Sequence, residues 1–540
     1  MDTTRWTIVK GRPELLSYRR LEIGPGEPHL QRRDLFQSDS PWPTAGTGVG
    51  QLLHMTDFQL ADLASPSRVE FLQQLSEDSK WQGMLPAYRP QEFLLTQAVG
   101  AVIRRIRQET RGDRSGIDFV VTTGDNTDSA QANELDAFLT LMDGGELDPA
   151  HDTGNASHVT TIPGAKAYWN PEPFSRDEWK EHHGFPDYPG AISAAARGFR
   201  TPGLGLPWLG CFGNHDCLVQ GRAAPPTGYN TFLHGARKPI CEPPELESVQ
   251  DALTKYRLDP LWVSAGSSMS IPPDARRRIV SRREHVGRHL ASATLPSGHG
   301  FSTENLQEDT AYYTYDGVAG LRVITLDTTN PAGDVNGCLD AAQYAWLEDR
   351  LREVHATTQG PDGTEISTGN EDRLVIICSH HGLSTLNNDT SMPHADRLYL
   401  ADEVERLLHR YPNVALWLSG HTHVNRVTPR PRPDGGGFWE ISTSSIAEWP
   451  VQIRRISVAV LDGWGLRIRS TMIDSSAPVR ATGGTTLDDL AALHREVAAN
   501  DPGSVGGPEA EGTPADRNVD LFVPLSPQVL QRVLKASKSP

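Results

Sequence analysis

A chain of 540 residues could fold as several domains or as one elaborated α/β domain. Its formal net charge of −17 argues against a nucleic-acid-binding face, which works by neutralising phosphates with Lys and Arg, but not against a small anionic substrate. With 37% hydrophobic residues, 49 Gly and 40 Pro, the composition suits a loop-rich globular enzyme, and no run of 18 uncharged apolar residues predicts a membrane span. The five cysteines (211, 217, 241, 338 and 378) form no Cys-x-x-Cys pair, so a reducing cytoplasm is expected and a disulfide framework is not. The first twenty residues lack the apolar stretch of a signal peptide, and export is not expected.

Residues 1–48 are mixed polar, with Gly24-Pro25-Gly26 and Pro41-Trp42-Pro43, and read as an irregular N-terminal arm. Val49 to Met55 is the first apolar run, a strand that empties into Thr56-Asp57-Phe58-Gln59. On an extended segment Asp57 and Gln59 would face the same way, which suits two oxygen donors converging on one metal. From Glu92 to Glu109, apolar residues at 94, 95, 98, 99, 102, 103 and 106 keep a helical period. Ile117 to Thr122 follows as a buried strand ending in Gly124-Asp125-Asn126, and strand–helix–strand in this order implies a parallel pair. Ala130 to Met142 is helical again.

Residues 143–205 form a first long insertion. Leu206 to Phe212 then reads as a short buried strand leading into Gly213-Asn214-His215-Asp216. Gly213 lets the backbone turn sharply, Asn214 offers a neutral amide oxygen to a cation, and His215 can hold a proton near neutral pH. The second insertion, 222–304, contains Asp274-Ala275-Arg276-Arg277-Arg278 and Arg282-Arg283. The ordinary reading of such a charge run is a solvated helix face; the functional one is a phosphate-gripping arginine. His299, flanked by glycines, has the freedom to reach a pocket.

Ala311 to Tyr315 and Leu321 to Leu326 read as paired strands, the second ending at Asp327, and Leu339 to Val354 as an amphipathic helix. Leu374 to Cys378 is a buried strand ending in Ser379-His380-His381-Gly382. After a helix at Glu403 to Leu408, Val414 to Leu418 is a strand ending in Gly420-His421-Thr422-His423. Strands at Phe438 to Thr443 and Ile453 to Leu461 close the expected fold. Residues 476–540 read as a C-terminal tail, packed on the domain or partly mobile, with short helices at Leu487 to Ala498 and Gln528 to Leu534.

Five segments thus carry Asp57-x-Gln59, Gly124-Asp125, Gly213-Asn214-His215-Asp216, His380 and Gly420-His421-x-His423, each past the carboxyl end of an apolar strand. In an open α/β sheet that edge is where sites form. In this order the set resembles the calcineurin-like metallophosphoesterase superfamily, which includes purple acid phosphatases and cyclic-nucleotide phosphodiesterases, over about Val49 to Asp474. The resemblance implies an α/β fold in which helices flank a β-sandwich (αββα), with a catalytic domain over 49–475 and a dinuclear metal centre at the strand carboxyl ends. It implies Asp57, Gln59 and His423 on a first metal, Asn214, His380 and His421 on a second, and Asp125 bridging both. It also implies a bridging hydroxide as nucleophile and His215 as the group that steadies the phosphate or protonates the leaving oxygen. Asp216 would orient His215 or brace the turn. His381 competes with His380, and the family pattern favours the first of the pair.

The chemistry is consistent with this: two divalent cations held close together need a shared anion. Imidazole and carboxylate ligands suit Mn, Fe, Zn or Ni. One position departs from the family, which usually has histidine where this chain has Gln59. A carboxamide oxygen is a poorer donor, so the first metal would be weakly held or a harder ion. The expected function is metal-dependent hydrolysis of small phosphate esters, with diesters favoured over monoesters by likeness to the bacterial Asn-His-Asp/Glu branch. The alternative is a metal-binding module without turnover, which Gln59 supports and His215 opposes. The two insertions are expected to wall the pocket.

Overall fold

The computed structural model describes residues 2–36, 42–43, 45–110, 116–151, 158–162, 164–244, 251–391, 397–433 and 435–537. Pro41 of the expected arm lies outside them. In chain order the strands of the two main sheets are β1 (Leu30–Arg32), β2 (Thr47–Met55), β3 (Phe119–Thr122), β4 (Trp208–Leu209), β5 (Tyr313–Val318), β6 (Leu321–Thr325), β7 (Leu374–Cys378), β8 (Val414–Ser419), β9 (Arg426–Pro431), β10 (Gly437–Ser442), β11 (Gln452–Leu461), β12 (Gly465–Asp474) and β13 (Val519–Val523). One sheet has seven strands in the order β1-β13-β12-β11-β2-β3-β4, and the other has six in the order β5-β6-β7-β8-β10-β9.

The alternation of side chains across each strand assigns them to layers. From β2, Leu52 enters the core between the sheets while Leu53 and Met55 face outward; from β7, Leu374, Ile376 and Cys378 enter it while Val375 and Ile377 face outward. Strands buried on both faces read as continuous apolar runs, which is why these were legible. Helices α1 (Leu95–Glu109) and α2 (Ala132–Asp143) cover the outer face of the first sheet. Helices α3 (Ala341–Arg352) and α4 (Ala401–His409) cover the outer face of the second. The architecture is the expected αββα sandwich. Strands β2, β3 and β4 run parallel, as do β6, β7, β8 and β10, so their carboxyl ends collect at one edge.

The two ends of the chain differ from the expectation. The arm is not irregular: Trp6–Leu15 and Tyr18–Pro25 form an antiparallel hairpin, and β1 pairs with β13. Residues 476–540 pack on the domain and also supply a strand and core side chains, which the tail reading does not include. Helix α5 (Leu487–Asn500) packs on α1, β13 enters the seven-stranded sheet, and Val529, Leu530 and Val533 of α6 (Pro527–Ser537) join the core between the sheets. The fold does not close at Leu461 either, since β12 follows at once and β13 much later.

Candidate metal centre

Backbone hydrogen bonds join the loops leaving β2, β3 and β4 in one set, with Ala130 N–H donating to the His215 carbonyl (2.9 Å), and those leaving β7 and β8 in another. Asp57 N–H donates to the Gly124 carbonyl (3.2 Å), Gln59 N–H to the Asp125 carbonyl (2.8 Å) and Gly420 N–H to the His380 carbonyl (3.0 Å). Asp57 (φ 54°), Gln59 (43°), Asp125 (53°), His421 (68°) and His423 (56°) all take the left-handed conformation. Residues with side chains rarely adopt it, and they concentrate at functional sites when the surroundings enforce it. The expectation that Asp57 and Gln59 converge by alternation on an extended segment is therefore replaced: two left-handed residues in a turn aim them.

Gly213 also has a different role from the one expected. Its φ of −116° is open to any residue. A β-carbon there would stand 2.3 Å from Asp125 Oδ1 and 2.4 Å from the Asp125 nitrogen. Close approach, not a sharp turn, demands glycine. Gly420 is alike, with a β-carbon position 2.4 Å from Asp57 Oδ2.

Asp57, Gln59, Asp125, Asn214, His380, His421 and His423 come together at this edge. His423 Nε2 faces Asp57 Oδ1 at 3.2 Å, and His380 Nε2 faces Asp125 Oδ2 at 3.3 Å. His421 Nδ1 lies 3.2 Å from His380 Nε2, and its N–H donates to Asp57 Oδ2 (3.1 Å). Gln59 Nε2 donates to Asp125 Oδ2 (3.3 Å), and Asn214 Nδ2 donates to the Gly221 carbonyl (3.0 Å). Two buried amide oxygens, Gln59 Oε1 and Asn214 Oδ1, accept no hydrogen bond, and Asp57 Oδ1 has only its ion-pair contact with His423. Buried polar atoms are normally satisfied. Uncapped oxygens beside two carboxylates and three imidazoles are the donor set a divalent cation takes, so the residues fit the metals that the resemblance implies.

His381 also lies within ligand distance of His380 and His421. Both its ring nitrogens are engaged, by the Thr328 hydroxyl and the Val335 carbonyl, each at 2.9 Å. His380 Nδ1 instead rests on the Thr123 carbonyl (2.8 Å), with Nε2 left facing the carboxylate. The electrostatics reflect a pocket of anions. Burial opposes protonation of His380, yet Asp125 raises it to about 9; burial opposes it at His423, yet Glu448 and Asp57 raise it to about 10. His421 is pushed well down by burial and by its histidine neighbours.

His215 lies beside these groups, with its N–H donating to Asp125 Oδ1 (2.9 Å) and Nδ1 on the Asp128 carbonyl (2.7 Å). Asp216 does not touch the His215 ring. Its carboxylate accepts from the backbone of Gly213 (2.9 Å), Asn126 (3.0 Å) and Thr127 (3.1 Å), so it fastens two loops together. Burial, then Asp125, pushes it up to about 7.

Other candidates fall away from the site. Arg277 is buried on Asp62 (2.6 Å), Arg276 pairs with Asp274 (2.8 Å) and Arg282 with Asp327 (2.8 Å). His299 is stacked on Trp208 at 3.6 Å in the interior. The cavity over the centre, about 330 Å³, is lined by Gln59, Asp125, Asn214, His215, His421 and His423, and by Arg68, Arg89 and Arg222. Arg222 and Leu253 of the second insertion line it too. Among the described residues of 143–205 none does; Tyr168, Trp169 and Trp179 of that insertion pack against Leu490 and Leu493 of α5 instead. Glu448 escaped the sequence reading. It lies 3.1 Å from His423 Nδ1 and accepts from Arg89 Nε (2.7 Å). An acidic residue inside the apolar stretch Ile446 to Pro450 is the signal that could have found it.

Residues 95–425 match the calcineurin-like phosphoesterase family. This is more than half of the chain, and the chain belongs to that family: it is a metal-dependent phosphoester hydrolase. The matched span begins after Asp57 and Gln59. Similar solved structures include a dimetal phosphatase from Danio rerio, 11% identical, covering 79% of this chain and 98% of that one with a TM-score of 0.34. The inner-membrane-complex anchor GAP50 of Plasmodium is also 11% identical, covering 78% and 84% with a TM-score of 0.25. A putative 5'-nucleotidase from Staphylococcus aureus is 11% identical and covers 79% and 55% with a TM-score of 0.27. No curated protein matches the chain. Among the described residues no helix is long and apolar enough to cross a membrane.

Proposed function

We propose that the chain hydrolyses small phosphate esters at a dinuclear centre, with Asp57, Gln59 and His423 holding one divalent ion, Asn214, His380 and His421 the other, and Asp125 shared. The observation that carries this reading is the pair of buried, unbonded amide oxygens on Gln59 and Asn214, set among Asp57, Asp125 and three histidines. When bound, such a pair of ions supplies Lewis acidity toward the phosphoryl oxygens and makes a water acidic enough to attack near neutral pH.

The chain's own residues do the rest. Because the Asp128 carbonyl can only accept, His215 Nδ1 carries the proton, and Nε2 is the ring nitrogen left to exchange a proton with the leaving oxygen. Its main-chain N–H holds the Asp125 carboxylate in place. Asp216 keeps that loop against the Asp125 loop. Likeness to the Asn-His-Asp branch favours diesters over monoesters, and the free thiols of all five cysteines favour a reducing, cytoplasmic setting.

The test is metal-stripped protein reloaded separately with Mn, Fe, Zn and Ni, then assayed on bis-p-nitrophenyl phosphate and p-nitrophenyl phosphate. Turnover with at least one metal, faster on the diester, is expected. Failure with every metal on both esters, and on several natural ones, would contradict the reading and leave a metal-binding module.

A further inference from the structure

Three arginines line the cavity, and they are not equivalent. Arg68 is enclosed by carboxylates: Glu70 at 2.7 Å, Asp128 at 2.9 Å, and Glu92. Arg89 is taken by Glu448 at 2.7 Å. Arg222 has no carboxylate in ion-pair reach among the described residues. Its Nη1 donates to the Gln220 carbonyl (3.0 Å), and its Nε is buried with no partner. A guanidinium that is partly withdrawn from water and lacks a counter-charge needs an anion from elsewhere.

The loop that carries it is placed for that purpose. Gly221 (φ 63°) presses so close that a β-carbon would stand 2.3 Å from His215 Cδ2 and 2.6 Å from Asn214 Nδ2. The Gly221 carbonyl also receives the Asn214 amide, which is what turns Asn214 Oδ1 away from that loop and leaves it unbonded. One short loop therefore orients a candidate metal ligand and delivers the uncompensated cation to the same cavity.

We propose that Arg222 is a substrate-binding residue that grips the non-bridging oxygens of the phosphoryl group, opposite the metal-binding side chains. This rests on the phosphoesterase reading of the site. The planar fork of a guanidinium matches two phosphate oxygens at once, which a point charge cannot do.

The test uses Arg222→Met and Arg222→Gln, each loaded with the same metal as wild type, with metal content measured and inorganic phosphate titrated calorimetrically. Gln keeps a polar side chain without the charge, so it serves if the Met variant does not fold. The expected result is phosphate affinity weakened at least about tenfold in either folded variant, with metal content unchanged and KM raised more than kcat is lowered. Phosphate affinity within about twofold of wild type, or wild type that binds no phosphate in the millimolar range, would overturn the proposal. So would loss of metal together with phosphate, which would assign Arg222 to the scaffold. Because binding is read without turnover, the two readings fail separately. Wild type that binds phosphate through Arg222 but hydrolyses no ester sinks the hydrolytic reading alone; turnover with Arg222-independent phosphate binding sinks this one alone.

Discussion

Replacing Glu448 by glutamine changes one oxygen to an amide nitrogen in a niche built entirely of donors. Oε2 faces His423 Nδ1 (3.1 Å), the Ser504 hydroxyl (2.7 Å) and the main-chain N–H groups of Val505 (2.9 Å) and Gly506 (3.5 Å). Oε1 accepts from Arg89 Nε (2.7 Å). Whichever way the glutamine amide is turned, its NH₂ meets a donor. Burial works against the charge on Glu448, yet His423 and Arg89 hold it well below the usual carboxylate range. In Glu448→Gln the imidazole of His423 loses the anion that fixes its ring and its tautomer. Losing such a partner behind a metal-ligating histidine typically weakens the metal about 10–100-fold, or about 1.4–2.7 kcal/mol. Competition titration with a chromogenic chelator, run on wild type and variant, reads this directly. One of two metal-binding steps should weaken by that factor while the other stays put. Equal affinities at both steps in the two proteins would refute the idea that Glu448 acts through His423.

Gly213→Ala places a methyl group 2.3 Å from Asp125 Oδ1 although φ is ordinary, and it should cost about 1–3 kcal/mol in chemical denaturation together with metal binding. Stability and metal uptake equal to wild type would show that close approach does not require glycine. A separate expectation concerns acid. His494 is fully buried with neither ring nitrogen bonded, and burial, then Arg495, lowers it to about 3. A histidine held neutral in the fold adds stability that is complete above its unfolded value near 6.5 and is lost as pH falls from there toward 3. His54 and His285 have the same sign, also lowered to about 3 by burial. His494→Leu should therefore flatten the decline by about 1.4 kcal/mol per pH unit over that window, measured by urea denaturation at pH 7, 6 and 5. An unchanged slope would contradict the neutral-histidine account.

What was legible in the sequence was what short-range patterning encodes. Strands such as Leu374 to Cys378 and Val414 to Leu418 are buried on both faces and announce themselves as apolar runs, and the ligand-bearing residues follow them directly. What was hidden depends on contacts remote in the chain. Val519–Val523 is a short, mostly apolar run in a segment of Gly, Pro and Asp, and its pairing with Gly465–Asp474 and Leu30–Arg32 makes it a sheet strand. The arginine run at 276–278, read as a solvated helix face or else as phosphate chemistry, precedes the helix Arg282–Leu290 and is consumed by Asp62, Asp274 and Glu284. Arg222 carries no local signature; its standing comes from the carboxylates that Arg68 and Arg89 have and it lacks. The left-handed backbone at Asp57 and Gln59 is likewise imposed by the neighbouring loops, with no glycine there to mark it.

The proposed sharing of Asp125 between two ions admits the most direct test: metal analysis of purified wild type beside an Asp125→Asn variant, both saturated with the same divalent ion and then freed of excess. Asp125 Oδ1 takes the His215 N–H and Oδ2 faces His380, so an asparagine there keeps the shape and loses the anion both ions would share. Two ions per chain in wild type, with both lost or greatly weakened in the variant, is the result this account predicts. A variant that still retains two ions per chain would contradict it.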